Sequence, residues 1–531
     1  RFYIPGLGTY FKDIGDIGDD DGMAFGKYGD ARLEQAMKWL DDTIAKHPQD
    51  KIESVKLSIF GFSRGATLAR AFARRINDRC TWDGARNEAK LNSLGRPCEI
   101  YFLGLFDTVA SVGLPASTSL GSLATAKKWM AIDTALKGRR NWLDQLAFGD
   151  KPGADPTPGV MDGHWSWAKN LRIPRIVTRT VHLMAMNEFR NSFPLDTVWD
   201  GDQLPPGAEE IVYPGAHSNV GGGYRPGEAG KSETSDLVLS KIPLRKMYDE
   251  ASQAGVPLNP LTEPSVQNDF AMSPTMAKHF NAVISTAGVN HGRLGDALLA
   301  HSELYFRWRF RKIKLRLREQ EYATIRKQED VFKNEAEGDA ASGQPGLKAK
   351  MDALEHDPER LRAQKDMAEK ESAWRLACQD APEFSHDKEH RAYLAAKARF
   401  DDLNDPYLRE RAKLRTLPDY SGELIGNLDI YDQNLLKDVE HIKASLNMSD
   451  QKLRPHYERL ITAYDDEFIH QTGLTDPLVI EFYDTFVHDS LAGFAKDETS
   501  PSDPRCCYIG GDKELKFANN RHVFDQQTAS T

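Results

Sequence analysis

No stretch of this 531-residue chain is apolar for long enough to span a bilayer, and its cysteines are few: Cys80, Cys98, Cys378, Cys506 and Cys507. An odd set of thiols without a repeated ligand spacing builds neither a disulfide framework nor a zinc site, and it leaves the redox compartment open. No heptad persists long enough for a coiled coil, and no segment repeats. A basic surplus is also missing. The 69 Lys and Arg residues stand against 79 Asp and Glu, a net charge of −10, which argues against nonspecific nucleic-acid binding by the chain as a whole. What remains is an ordinary globular composition, 40% hydrophobic and 28% charged, in a chain long enough for two or more domains. The chain opens on Arg1 inside an apolar, strand-like segment, Phe2-Tyr3-Ile4, so part of the natural protein is expected upstream.

The most informative segment is Ile59-Phe60-Gly61-Phe62-Ser63-Arg64-Gly65-Ala66. Val55, Leu57 and Ile59 alternate with polar residues before it, and Leu68, Phe72, Ala73 and Ile76 share one helical face after it. A Gly-x-Ser-x-Gly pentapeptide between a strand and a helix is the pattern of a nucleophile elbow. The serine occupies a crowded turn, and the glycines on both sides are expected to let strand and helix pass closely. Ser63 is the candidate nucleophile and the backbone N–H of Arg64 a candidate oxyanion donor. The bland alternative is a glycine-bracketed turn, which the strand-before, helix-after context disfavours.

Around this segment, strands alternate with amphipathic helices. A glycine- and aspartate-rich stretch up to Asp30 lacks calcium-loop spacing and reads as a flexible surface loop. Leu33, Ala36, Met37, Leu40 and Ile44 then mark a helix. Glu99 to Phe106 is a continuous apolar run of the kind a buried parallel strand shows. The reading is an α/β fold, an α/β-hydrolase-like, mostly parallel sheet covered by helices. The core is expected over 1–118, continuing over 173–300 and returning over 476–531. A tryptophan-rich insertion spans 119–172, where Trp129, Trp142, Trp165 and Trp167 lie among basic residues and suit a lid or a membrane contact. A charged, helical insertion spans 301–475 and is expected to form a separate layer. It opens on Arg307-Trp308-Arg309-Phe310-Arg311-Lys312-Ile313-Lys314-Leu315-Arg316-Leu317-Arg318, whose alternation fits an extended edge with a bulge near Arg311-Lys312. Such an edge could meet a membrane surface or a partner protein, or simply pair with the block's many acids.

In α/β hydrolases the acid and the histidine follow the serine in the chain, each at the carboxyl end of a strand. Asp107, in Leu105-Phe106-Asp107-Thr108-Val109, directly follows the apolar run and is the candidate acid. Asp196, Asp200 and Asp202 compete with it, and a capping role is the bland reading. The candidate base is His217, in Tyr213-Pro214-Gly215-Ala216-His217-Ser218-Asn219-Val220-Gly221-Gly222-Gly223-Tyr224. His488, in Phe486-Val487-His488-Asp489-Ser490, is the alternative base. His182 lies within a strand and reads as a satisfied core residue.

Together, the Gly-Phe-Ser-Arg-Gly-Ala elbow, Leu-Phe-Asp-Thr-Val-Ala-Ser-Val-Gly and Gly-x-His-Ser-x-Val-Gly-Gly-Gly-Tyr resemble the first family of type VI secretion lipase effectors. Pro5-Gly6-Leu7-Gly8-Thr9, Asn187-Glu188-Phe189-Arg190 and Phe486-Val487-His488-Asp489-Ser490 support the likeness, which covers about 1–115, 173–300 and 480–495. It implies a Ser63/Asp107/His217 triad and a phospholipase A that cleaves acyl esters of membrane glycerophospholipids without metal or cofactor. It also implies an antibacterial effector, cytoplasmic in the producer and delivered by a secretion machine to a rival's periplasm. A delivery protein and a cognate immunity protein are the expected partners, with no nucleic acid. Two departures stand out. Asn219 replaces the usual Asp two residues past the histidine, and the upstream Phe-Asp-Gly-Thr strand end has no match, so the second oxyanion donor is expected before residue 1. A carboxylesterase on soluble or glycan esters, and a non-catalytic delivery cargo or binding module, are the competing functions.

Overall fold

The computed structural model describes residues 1–19, 26–112, 164–190, 193–200, 203–287, 294–339, 342–380, 386–446, 453, 455–490, 502, 505, 507–509 and 516–518. In chain order the core begins with helix α1 (Gly29–Ala45), strand β1 (Val55–Phe62) and helix α2 (Arg64–Asp78). A hairpin of β2 (Cys80–Asp83) and β3 (Glu88–Leu91) leads into β4 (Arg96–Phe106), β5 (Thr180–Ala185), the short β6 (Leu195–Asp196) and β7 (Ala208–Tyr213). Helices α3 (His217–Gly221), α4 (Lys241–Gln253) and α5 (Pro274–Ala287) follow. Strands β1, β4, β5 and β7 are parallel neighbours in that order, and the β2–β3 hairpin extends the sheet antiparallel beside the start of β4. The fold is α/β, a mixed sheet covered by many helices.

The apolar run of β4 serves both faces of the sheet. Ile100, Leu103 and Leu105 pack with Met37 of α1 and Ala66, Ala69 and Ile76 of α2. Phe102 instead joins Leu183, Ile211 and Tyr213 under Met247 and Ala251 of α4. The phase change comes from an irregularity opposite Leu57/Ser58, where the register steps from Ile100 to Phe102 and leaves Tyr101 unpaired. With both faces covered, each large buried side chain contributes roughly 1.5–3 kcal/mol. All four parallel strands end at the same edge, which sets Ser63, Asp107, Asn187 and His217 side by side in the chain segments that leave them.

Helices α6 (Leu294–Lys314), α7 (Arg318–Glu337), α8 (Pro358–Asp380), α9 (Asp387–Arg415), α10 (Glu423–Leu446) and α11 (Pro455–Asp465) form the charged block; α12 (Pro477–Thr485) and the strands β8 (Cys507–Ile509) and β9 (Lys516–Ala518) follow. The alternating segment at 307–318 is therefore helical through Lys314, not an extended edge. Its alternation misleads because the charged positions are also inside: Trp308, Arg309, Phe310 and Lys312 are all buried. Nor is the block a wholly separate layer. Trp308 and Phe310 of α6, Leu435 of α10 and Tyr457 of α11 share one apolar cluster with Phe189, Met276 and Phe482 from the core segments.

Two further expectations change. The segment expected to rejoin the core from 476 starts as a helix, and β8 pairs with β6 in a separate three-stranded sheet rather than with the main one. Asp16, early in the acidic N-terminal stretch, is not on a free surface loop, since it forms a fully buried ion pair with Arg32, 2.6 Å apart. Of the tryptophan-rich insertion, 119–163 lie outside the described residues, Trp129 and Trp142 included. Trp167 is part-buried and donates to Gly26 O, whereas Trp165 is exposed.

A buried ionic network joins the block to the segment after α12. Arg309 donates to Asp432 (3.0 Å), Asp489 (2.8 Å) and Tyr305 Oη (2.8 Å), and Arg318 grips both oxygens of Asp432 at 2.8 and 2.9 Å. Burial alone would raise the Asp432 carboxyl, but the two guanidiniums hold it below the ordinary range. Burial and the neighbouring Lys231 push Lys312 down to about 8. Removing one partner of such a network strands charge in the interior. Asp432→Ala is expected to cost about 3 kcal/mol, whereas Asp42→Ala, which breaks only the exposed pair with Lys38, should cost under about 1 kcal/mol. Urea midpoints of the two variants check the contrast.

Candidate active site

Ser63 is the hinge between β1 and α2. Its φ of 59° and ψ of −129° lie where non-glycine residues are strained. The turn is held by backbone bonds: Ser63 N donates to Phe106 O (3.0 Å), and Ser63 O accepts from the N–H groups of Ala66 and Thr67. The Ser63 side chain does not cap the helix it precedes, so its hydroxyl is not committed to local structure. Arg64 is the first residue of α2, so its backbone N–H stands at the positive end of the helix, one residue past Ser63. Only one of the two glycines is sterically required. A Cβ on Gly61 would lie 2.3 Å from Gly65 O and 2.6 Å from Ala66 Cα, whereas one on Gly65 would meet nothing within 4 Å.

Asp107 directly follows β4, also with positive φ (41°), and its carboxylate is fully buried. Oδ2 is 2.6 Å from His217 Nδ1, and Oδ1 accepts from Ala185 N at 2.8 Å. The guanidinium of Arg505 lies across both oxygens, Nη1 to Oδ2 at 2.7 Å and Nη2 to Oδ1 at 2.6 Å. Burial would raise the Asp107 carboxyl, but Arg505 and then His217 hold it well below the usual carboxylate range.

His217 opens α3. With Asp107 accepting at Nδ1, that nitrogen carries the proton and Nε2 keeps its lone pair. Nε2 is buried and has no hydrogen-bond partner among the described residues, so the Ser63 hydroxyl does not hydrogen-bond it in this conformation. The imidazole lies against the Phe62 ring (4.5 Å between centroids) and meets Phe193 edge-on (5.0 Å). Burial lowers its basicity, and the Asp107 hydrogen bond works against that. The backbone N–H of His217 donates to Glu188 Oε2 (3.2 Å), and Glu188 is clamped by Arg190, whose guanidinium stacks 3.8 Å over Phe193. Asn187 closes the loop by accepting from Gly215 N at 2.7 Å.

The rival residues are engaged elsewhere. His488 Nδ1 accepts from the Asn219 amide (3.0 Å), its Nε2 donates to Glu228 O (3.1 Å), and its ring stacks on Tyr224. Both nitrogens are thus used in joining the 486–488 segment to the histidine loop. Asn219 makes the joint, since its Oδ1 also accepts from Ala216 N and His488 N. His182 is a satisfied interior residue, bridging Glu210 (2.9 Å) and Thr108 N (3.1 Å), and it thereby steadies the loop after Asp107. Asp196 accepts from Ala110 N and pairs with His164 at 2.6 Å; Asp200 pairs with Arg172, and Asp202 lies outside the described residues.

Arg505 escaped the sequence reading. It stands 398 residues from Asp107 with no motif around it. Glu188 and Arg190 were visible as part of a motif but without a role.

The strand-end geometry defines an α/β protein with a strained serine beside a buried histidine–aspartate pair. Residues 77–250 match the family model described as the T6SS phospholipase effector Tle1-like catalytic domain. The resemblance read from the motifs is borne out over that stretch, which holds Asp107 and His217 and begins after Ser63. No curated protein matches the chain. The solved structure of an uncharacterised protein from Pseudomonas aeruginosa superposes with a TM-score of 0.60 at 22% identity, over 96% of this chain and 72% of that one. The Tle1 effector bound to the VgrG spike of the type 6 secretion system superposes loosely, with a TM-score of 0.31 at 18% identity over 54% of this chain and 65% of that one. Among the described residues no helix is long and apolar enough to cross a membrane.

Two outcomes follow from this geometry. Gly61→Ala should lower thermal stability by several degrees, corresponding to roughly 1–3 kcal/mol of overpacking, while Gly65→Ala should melt close to the parent. Burial and Lys231 push His488 down to about 3 from an ordinary 6.5. Between those values the unfolded chain takes up a proton that the folded protein refuses, so stability falls as pH drops through the window. His488→Gln should flatten that part of the stability–pH curve, measured by urea unfolding at successive pH values.

Proposed function

We propose that the protein is a serine hydrolase on an α/β-hydrolase fold, a phospholipase of the A type acting on acyl esters of membrane glycerophospholipids. The observation that carries the reading is the 2.6 Å contact between His217 Nδ1 and Asp107, which leaves Nε2 basic at the strand edge where the strained Ser63 turns out of β1. In this reading Ser63 Oγ attacks the ester carbonyl carbon while its proton passes to His217 Nε2. Asp107 holds the imidazole and offsets its developing charge. The N–H of Arg64, at the positive end of α2, stabilises the tetrahedral oxyanion. Collapse expels the alcohol, which takes the proton from Nε2. Water then enters by the same route in reverse and frees the fatty acid from Ser63.

The match of 77–250 to a phospholipase effector domain supports the lipid substrate. The same match supports a secreted effector, made in the cytoplasm of the producer and carried by a secretion machine to a rival's periplasm, with an immunity protein as its counterpart. The hydrolase core in this reading comprises 1–118, 173–300 and 476–531, with 119–172 and 301–475 as insertions.

A fluorophosphonate probe should label the parent protein and not Ser63→Ala, which should lose phospholipid hydrolysis while keeping its melting temperature. Asp107→Asn should lower turnover on the order of 10³–10⁴-fold. Because burial depresses His217, the acid limb of kcat/KM in the parent should fall below about 6.5. Equal labelling of Ser63→Ala removes Ser63 as nucleophile. Hydrolysis of a short soluble ester but not of phospholipid vesicles would favour a carboxylesterase.

A further inference from the structure

The Arg505 guanidinium has no exposed surface, and every acceptor it meets lies at the strand-end edge. Besides the two Asp107 oxygens, it donates to Ala185 O (2.8 Å) and Phe193 O (3.3 Å). These acceptors belong to the residue after β4, the last residue of β5 and the loop that carries the Phe193 ring against His217. The segment bearing Arg505 is itself pinned on both sides. Ser502 Oγ donates to Asp438 of α10 at 3.1 Å, and β8 continues from residue 507 beside β6, with Thr197 N donating to Tyr508 O at 3.0 Å. The guanidinium thus reaches Asp107 from a strap between the helical block and the small three-stranded sheet.

A triad carboxylate needs orientation, and here, among the described residues, the backbone supplies a single donor, Ala185 N. The remaining lone pairs of Asp107 go to His217 and to Arg505. A planar two-pronged donor fixes the rotation of a carboxylate plane, which a single hydrogen bond cannot do. It also places a full positive charge within one carboxylate of the imidazole. We propose that Arg505 is a positioning residue of this site: it sets the carboxylate plane of Asp107 so that Oδ2 faces His217 Nδ1, and it tempers the negative charge His217 experiences. The proposal rests on the Ser63/His217/Asp107 reading above.

Its consequence for pH follows from the charges around His217. Asp107 on one side and Glu188 at its backbone favour the imidazolium; Arg190, paired with Glu188, and Arg505, paired with Asp107, oppose it. Removing the guanidinium leaves Asp107 uncompensated toward the imidazole. The imidazolium gains, and the acid limb of kcat/KM moves to higher pH.

The test measures kcat, KM and pH profiles with p-nitrophenyl butyrate on the full chain carrying Arg505→Lys, Arg505→Gln and Asp107→Asn, singly and with Arg505→Gln combined with Asp107→Asn. Arg505→Gln is expected to lose on the order of 50-fold in kcat with KM within about threefold, and to shift the acid limb upward by about half a pH unit or more. Arg505→Lys keeps the charge that neutralises the buried carboxylate, and so keeps the fold, but it cannot grip both oxygens; it should lose about tenfold in kcat and leave the acid limb in place. In the Asp107→Asn background, Arg505→Gln should cost less than about threefold more, because the residue acts through Asp107. Parent-like kcat in Arg505→Lys, an unmoved acid limb in a folded Arg505→Gln, or losses that multiply in the double variant would each overturn the proposal. A parent that fluorophosphonate does not label overturns the hydrolase reading and this proposal with it. A labelled, active parent whose Arg505 variants match it overturns this proposal alone.

Discussion

The architecture turns on one buried negative charge. A carboxylate with no exposed surface is tolerable only when its oxygens are filled by donors, and those of Asp107 are filled from distant parts of the chain: Ala185 at the end of β5, His217 at the start of α3, and Arg505. The requirement recurs along the same edge of the sheet. Glu188 accepts the His217 amide and is matched by Arg190; Asp196 accepts the Ala110 amide and is matched by His164. Glu210 accepts from Val198 N and meets His182. Each of these acids accepts from a main-chain amide of another segment, so the site is held by buried polar ties as well as by the Phe62 and Phe193 rings against His217.

How far the sequence discloses this depends on the range of each signal. The elbow, the strand before Asp107 and the loop bearing His217 are legible because each is a local pattern: a strand period, a helix period, a glycine where backbone crowds. The structure sets these side by side because parallel strands end at one edge. The strand-like reading of 307–318 failed for the converse reason. Alternation of charged and apolar residues normally reports a wet and a dry face, but Arg309 is buried between Asp432 and Asp489, so the charged set is not all on the wet side. Partners of that kind, more than a hundred residues away, leave no local trace. Arg505 is the extreme case.

The helical block shares more with the core than its composition suggests. Trp308 of α6 donates to Asp484, stacks on Tyr483 of α12 and lies in the same apolar cluster as Phe189, two residues from Asn187. Ser490, in the same segment as Asp489, accepts from Phe189 N. The 484–490 segment is thus a common wall, with the block's arginines on one side and the histidine loop, through Asn219 and His488, on the other. The α6–α10 ion pairs and the candidate site are packed against opposite sides of one wall.

The long span between Asp107 and Arg505 also carries an entropic cost in folding. Contacts of high sequence separation form late, because the loop they close must first lose its entropy. The parallel sheet can assemble from residues up to Tyr213, and doing so begins to withdraw the Asp107 carboxylate from water before its guanidinium has arrived. A chain at that stage holds an unpaired charge at the centre of its own sheet edge. Completing the site therefore means closing a loop of nearly four hundred residues, and what repays that closure is the match of one guanidinium to one buried carboxylate.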